Sequence, residues 1–268
     1  MKIGLCGLGW VGGTMRAYFA HTAHSMFLYD KYKGIGSVEE LNRADVIFVA
    51  VPTPYAGGGY DDVVVRSALE FIEDGKTVVI KSTVMPGSTE RFQKRYPRKT
   101  TLFNPEFLTE KRANEDFCHP ERQLIGHVHG PRPQPGRGAG WGFKAAQSVL
   151  EVLPSSPYSR IMLATEAEMV KYFSNVFLAA RVTFANQMFD ICEAAGVDYA
   201  TVKDAAAQDP RIGASHFDVF DNDYRGYGGH CLPKDTRALI QFAQSIGVAT
   251  PLFDAMEQVN KQLMPVDR

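Results

Sequence analysis

No stretch of this 268-residue chain stays apolar for the length that crosses a bilayer, so neither a membrane-spanning helix nor a membrane partner is expected. Cysteine is scarce as well. The four residues, Cys6, Cys118, Cys192 and Cys231, show no paired metal-ligand spacing, so no metal is expected, and their scatter suits thiols kept reduced in the cytoplasm. Charge of one sign is also missing. With 29 basic and 30 acidic residues the net charge is −1, and no helix concentrates the positive ones, which argues against a nucleic-acid partner. The local basic run from Arg91 to Lys99 reads as a solvated helix end. The chain opens directly on a strand, so a leader peptide is not expected, and 45% hydrophobic with 22% charged residues suits two compact domains.

What is present starts at the first residues. Met1 to Cys6 reads as a short apolar strand running into Gly7-Leu8-Gly9-Trp10-Val11-Gly12 and then a helical stretch, Thr14 to Ala20. This is the dinucleotide-binding glycine pattern in the strand-to-helix context it needs. The first glycine permits a tight turn, the second lets backbone approach a pyrophosphate, the third allows close helix–strand packing, and the helix N-terminus attracts negative charge. A second strand, Ser25 to Tyr29, ends at Asp30. A carboxylate there can accept from the adenosine ribose and repels a 2'-phosphate, so NAD is expected over NADP, a preference that Lys31 and Lys33 soften.

Strands and helices then alternate as in a parallel sheet covered on both faces. Val46 to Val51, Thr77 to Ile80 and Thr101 to Phe103 are near-continuous apolar runs, each followed by polar residues: Pro52-Thr53-Pro54, Lys81-Ser82-Thr83-Val84-Met85-Pro86-Gly87, and Asn104-Pro105-Glu106-Phe107-Leu108. Ligands of open α/β sheets bind beyond the carboxyl ends of strands, although the same residue types also build ordinary turns. The Gly-, Pro- and Arg-rich residues 129–140 read as a surface loop without chemistry.

Beyond that loop the pattern becomes helical. Thr165 to Ala195 carries Met169, Tyr172, Phe173, Val176, Phe177, Ala180, Phe184, Met188 and Ile191, too wide an apolar face for a surface helix, so burial within a second domain and against a partner subunit is expected. Thr165 with Glu168 gives a capping-box start, and Gly196 a stop. Lys171 and Asn175 interrupt the apolar pattern four residues apart, either as a snorkelling lysine with its neighbour or as a cation and an amide aimed into a cleft. Cys231 and Asp235 repeat that spacing inside Gly228-Gly229-His230-Cys231-Leu232-Pro233-Lys234-Asp235. Flanking glycines give access to the sulfur and nearby cations favour the thiolate; a buried cysteine at a loop–helix junction is the alternative.

These motifs, in this order, resemble the UDP-glucose and GDP-mannose dehydrogenases, which oxidise a nucleotide sugar at C6 to the uronic acid with two NAD. The likeness runs over nearly the whole chain: the glycine loop, Val-Pro-Thr-Pro at Val51, Lys-Ser-Thr-Val at Lys81, Asn-Pro-Glu-Phe-Leu at Asn104, the helix around Lys171, Asp-Pro-Arg-Ile-Gly at Asp209 and Gly-Tyr-Gly-Gly-His-Cys-Leu-Pro-Lys-Asp from Gly226. The resemblance implies an α/β fold: a Rossmann-like parallel sheet over residues 1–160, then an all-helical dimerisation and substrate domain over 161–268. It implies Cys231 as the nucleophile that traps the aldehyde as a thiohemiacetal and then carries a thioester. Lys171 and Asn175 become oxyanion donors, Asp235 with a water shared by Thr83 the first proton acceptor, and Glu106 the base for hydrolysis. Gly7 to Gly12, Asp30, Val51, Pro52, Thr53, Ser82, Thr83, Glu110 and Lys234 are implied to contact NAD. Glu106, Phe107, Leu108, Glu110, Lys171, Asn175, Tyr227 and Gly228 are implied to hold the sugar nucleotide, most simply UDP-glucose. Arg211 is implied to reach the active site of a second subunit, hence a homodimer through the 165–195 helix.

The sequence departs from that family in three places. The family's third, C-terminal domain has no counterpart before Arg268; the 213–225 segment is longer and more acidic than usual and offers no placeable lysine; and His230 precedes the nucleophile as in the N-acetylated aminosugar branch, while Leu-Pro-Lys-Asp follows it as in the glucose and mannose branch. Two other readings stand beside the main one: a two-electron 3-hydroxyacid-type dehydrogenase, which shares the helix lysine and asparagine but lacks the cysteine, and a non-catalytic NAD-binding paralogue.

Overall fold

The computed structural model describes residues 1–109, 111–128, 140–220 and 224–264. The chain divides into two compact units, Met1–Lys171 and Tyr172–Arg268. Among the described residues the first unit contains, in chain order, β1 (Lys2–Cys6), α1 (Trp10–Phe19), β2 (Ser25–Tyr29), α2 (Val38–Leu41), β3 (Val46–Val49), a small hairpin of β4 (Tyr55–Ala56) and β5 (Gly59–Tyr60), α3 (Val63–Phe71), β6 (Thr77–Ile80), α4 (Ser88–Arg95), β7 (Thr100–Phe103), α5 (Ala113–Cys118), β8 (Arg122–His127), α6 (Trp141–Leu150) and β9 (Tyr158–Leu163). Seven strands form one sheet in the order β2-β1-β3-β6-β7-β8-β9. Every pairing is parallel except β7 with β8. This is the α/β architecture the sequence implies.

The apolar runs are explained by the two faces of that sheet. Successive strand residues point to opposite sides, so Ile47, Val49, Val78 and Ile80 enter one core while Val46, Phe48 and Val79 enter the other, with helices covering both. A polar residue in the middle of β3 would face a core whichever side it chose.

α7 (Ala164–Ala195) begins in the first unit and continues into the second, which among the described residues is otherwise built of α8 (Tyr199–Ala206), α9 (Leu232–Ser245) and α10 (Pro251–Leu263). Asp198 caps α8 by accepting from the amides of Ala200 and Thr201, and α9 and α10 each place a proline in their first turn, where the missing N–H is no loss. Val176, Ala179, Tyr227 and Met256 form the core on which α9 and α10 pack.

Three expectations are corrected. Thr165 does not cap α7: β9 runs straight into the helix, the Leu163 amide donates to Glu166 instead, and Thr165 donates to Glu90. The expected capping partner Glu168 turns away to α4. The apolar face of α7 is also split. Tyr172 and Val176 are buried, but Phe173 is 73% exposed, and Met169, Phe177, Phe184 and Ile191 are exposed with it, because the chain's own helices cover one side of α7 and leave this one open. Finally, Lys99 is not solvated but buried, its ammonium 3.2 Å from Asp74. The 129–140 loop lies outside the described residues except for Gly140, as do residues 221–223 of the 213–225 segment.

Candidate functional site

The glycine loop joins β1 to α1. Gly7 takes φ +87°, and a Cβ there would collide with the Ala50 carbonyl; one on Gly12 would collide with Gly7 O. Gly9 differs, since a Cβ placed on it meets nothing within 4 Å. The loop is thus tight where strand and helix meet and open where α1 presents its amides, the geometry that admits a pyrophosphate. Asp30, at the end of β2, accepts from Leu8 N at 2.7 Å through one oxygen and from Tyr32 N and Lys33 N through the other. Burial works to raise its pKa, but these amides and Lys33 outweigh burial and hold the carboxyl below its usual range. Lys33 folds back to donate to Leu8 O at 2.6 Å, spending on the loop the charge that sequence set against the NAD preference.

The loops after β3 and β6 are tied together by one hydroxyl. Ser82 Oγ accepts from Val51 N at 2.9 Å and donates to Val51 O at 2.7 Å, which brings Val51, Pro52 and Thr53 beside Ser82 and Thr83. Tyr60, on the small hairpin, donates to Thr83 O at 3.0 Å.

Beyond β7 the first unit gathers buried charge. Lys171 Nζ donates to both the main-chain oxygen and Oε1 of Glu106, each at 2.7 Å, and both side chains are nearly inaccessible. Burial would raise the Glu106 carboxyl, but Lys171, the Leu108 amide and Lys81 together hold it below the ordinary glutamate value. Phe107 has two cations near its ring, Arg122 3.7 Å from its centre and Lys171 5.7 Å away. Leu108 is half-buried; Glu110 lies outside the described residues.

The second unit holds a separate cluster. Cys231 occupies the N-cap of α9 and is partly exposed, outside any disulfide. Asp235 N closes the first turn onto Cys231 O at 2.9 Å, so the helix that the cysteine–aspartate spacing required is present. Asp235 is fully buried, accepts from Asn175 Nδ2 at 2.6 Å and pairs with Lys234. Tyr227 is buried and its hydroxyl donates to Glu257 at 2.6 Å, while Gly228 packs under the Tyr224 ring. Arg211 is 87% exposed and paired with Asp209. Among the described residues no cluster suits a metal ion.

Sequence reasoning gave two buried groups no part in the site. Glu168 accepts from Gly87 N, Thr89 N and the Thr89 hydroxyl at the start of α4, and Lys81 is buried beside Asn104. The signal for Lys81 was its place directly after the apolar, buried run Val78–Ile80.

The sequence profile of the UDP-glucose/GDP-mannose dehydrogenase family's NAD binding domain matches residues 30–134, and that of its central domain matches residues 165–262. The UDP-glucose 6-dehydrogenase of Rhizobium meliloti is 32% identical over 97% of this chain and 67% of that protein. The chain belongs to the UDP-glucose/GDP-mannose dehydrogenase family. A Bacillus subtilis UDP-glucose 6-dehydrogenase is 32% identical over 83% of the chain and 47% of its own length. The structure of a UDP-glucose dehydrogenase from Pyrobaculum islandicum matches with a TM-score of 0.82 at 30% identity, over 97% of this chain and 68% of that one. The chain thus spans between about half and two thirds of these family members. NAD is the family's cofactor, and the open Gly9 face and the Asp30 carboxylate fit it.

Proposed function

We propose that the protein is an NAD-dependent nucleotide-sugar 6-dehydrogenase, taking a UDP-sugar, with UDP-glucose the first choice, from C6 alcohol to uronic acid. The observation that carries this reading is Cys231 at the N-cap of α9, one turn ahead of the buried Asp235 that Asn175 and Lys234 hold. The two-electron alternative needs no such cysteine. NAD supplies the hydride acceptor, two per sugar.

Each residue has a role in this reading. Asp235, through a water shared with Thr83, takes the hydroxyl proton as the C6 hydride leaves. The Cys231 thiolate then adds to the aldehyde carbon, and loss of a second hydride with the hemiacetal proton leaves a thioester. Water adds to its acyl carbon, the C–S bond breaks, and the protons pass to Glu106 and to the departing sulfur. Lys171 and Asn175 donate to the oxygen that turns negative. The alcohol and one water thereby lose four electrons to two cofactors, and the thiol is regenerated. Val51 to Thr53, Ser82 and Lys234 serve NAD, and Phe107, Leu108, Tyr227 and Gly228 serve the sugar nucleotide. A homodimer through α7 brings Arg211 to the other subunit's site.

The test is product stoichiometry with NAD and a panel of UDP- and GDP-sugars. Two NADH per sugar, a uronic acid product and no product from Cys231→Ala are expected. One NADH per substrate, unchanged in Cys231→Ala, would replace this reading with the two-electron one, and NAD binding without NADH from any sugar would leave a non-catalytic protein.

A further inference from the structure

Lys81 follows β6 directly and is buried, yet both hydrogen-bond acceptors of its ammonium are uncharged: Asn104 Oδ1 at 2.9 Å and the Pro105 carbonyl at 3.4 Å. The Phe117 ring lies 5.9 Å away. A buried amine facing neutral oxygens costs stability that a methionine of similar length would not, so its presence here needs another reason. The bonds around it supply one. Asn104 is fixed from both sides, its amide donating to Ile80 O at 2.9 Å and its Nδ2 to Leu124 O at 2.7 Å. Lys81 ties down the remaining side-chain atom, Asn104 Oδ1, and also donates to the Pro105 carbonyl. The next residue is Glu106, whose main-chain oxygen and Oε1 both meet Lys171.

We propose that Lys81 is a positioning residue: through Asn104 and the Pro105 carbonyl it sets the loop so that the Glu106 carboxylate stays ionised against Lys171, ready to accept a proton from water. What that carboxylate does in turnover rests on the reading above; how Lys81 holds it does not. The charges support the geometry. Burial pushes the Lys81 amine down to about 7, with Lys171 adding to that and Glu106 opposing it. At the acid pH where a glutamate titrates, Lys81 is therefore protonated. Glu106 then faces Lys171 from α7 and Lys81 from the end of β6, with the Leu108 amide on its own loop and Arg122 of β8 over the adjoining Phe107.

The experiment compares Lys81→Met with the parent in two readouts. In protein carrying 13C-labelled glutamate carboxyls, the Glu106 resonance is identified by its loss in Glu106→Gln and titrated. Its midpoint is expected to rise by about half a pH unit or more when the second cation goes. In turnover with NAD and UDP-glucose, kcat is expected to fall about tenfold with KM for NAD within about twofold, and an acyl adduct on Cys231 to accumulate in intact-mass spectra. The fall in kcat is expected to vanish when Lys81→Met is combined with Glu106→Gln, since the two act as a unit. A Glu106 midpoint that does not move overturns the proposal whatever the kinetics show, as does a kcat loss that adds independently to that of Glu106→Gln. If the parent makes no NADH, the dehydrogenase reading fails and the titration still decides on Lys81. Should Lys81→Met not fold, Asn104→Leu severs the same link and is judged by the same titration.

Discussion

Lys171 is the residue whose loss separates two effects in one variant. Its ammonium is the direct partner of a carboxylate that water barely reaches. Lys171→Met removes the cation and keeps most of the stem, so Glu106 is left as a buried anion, at a cost of about 3 kcal/mol measured by urea unfolding near neutral pH. If the ammonium also serves the oxyanion, kcat falls by about 10²–10³ with little change in KM for NAD. A stability loss with kcat inside tenfold of the parent would reduce Lys171 to a holder of Glu106. Sequence placed Lys171 and Asn175 one turn apart and marked both as exceptions to an apolar helix. It did not distribute their partners: Lys171 goes to Glu106 and Asn175 to Asp235, residues 65 and 60 positions away. Local pattern carries a residue's side of a helix, whereas its partner is chosen by loops that only the folded chain brings to it.

At the scale of elements, the central strands were legible because a strand buried on both faces is apolar along most of its length, and Thr77–Ile80 stands where the sequence put it; so does the half-buried edge strand Ser25–Tyr29. The start of α7 was not, because a capping box and a long-range carboxylate contact look alike in sequence. Glu168 spends its oxygens on the first amides of α4, just past the loop carrying Ser82 and Thr83, where the helix end favours an anion. Burial nonetheless pushes its carboxyl up to about 7, against the pull of Thr89, Gly87 and Arg91. The linkage then has a definite sign. A carboxyl raised in the folded state stabilises fully below its unfolded pKa, and that contribution is lost as pH climbs through about 7, by up to roughly 3 kcal/mol. Glu168→Gln cannot ionise. Its unfolding free energy relative to the parent is therefore expected to shift in the variant's favour by about 2–3 kcal/mol between pH 5 and pH 8, read from denaturant titrations. A difference flat with pH, or one moving the other way, would mean that the three donors keep Glu168 charged throughout.

For the molecule as a whole, the open side of α7 is the feature that a single chain leaves unexplained. Met169, Phe173, Phe177, Phe184 and Ile191 recur at steps of four, four, seven and seven, which at 3.6 residues per turn keeps them within about 80° of one another. An apolar stripe of this kind in a chain of net charge −1 suits the proposed homodimer, in which a two-fold axis would let one stripe serve both copies. Phe173→Glu with Phe177→Glu would set carboxylates into that contact. The double variant is expected to elute at the 29.7 kDa of one chain, against about twice that for the parent, by light scattering. Arg211, turned to solvent in its own chain, would make the proposed dimer a functional matter. If it completes the other subunit's site, Cys231→Ala and Arg211→Ala are each inactive alone. When the two are unfolded and refolded together, half the dimers are mixed. Each mixed dimer has one subunit with an intact Cys231 facing an intact Arg211, so about a quarter of the parent activity returns. If Arg211 serves its own subunit, no mixed dimer contains a complete site and nothing returns, which would detach the arginine from the interface however stable the dimer proves.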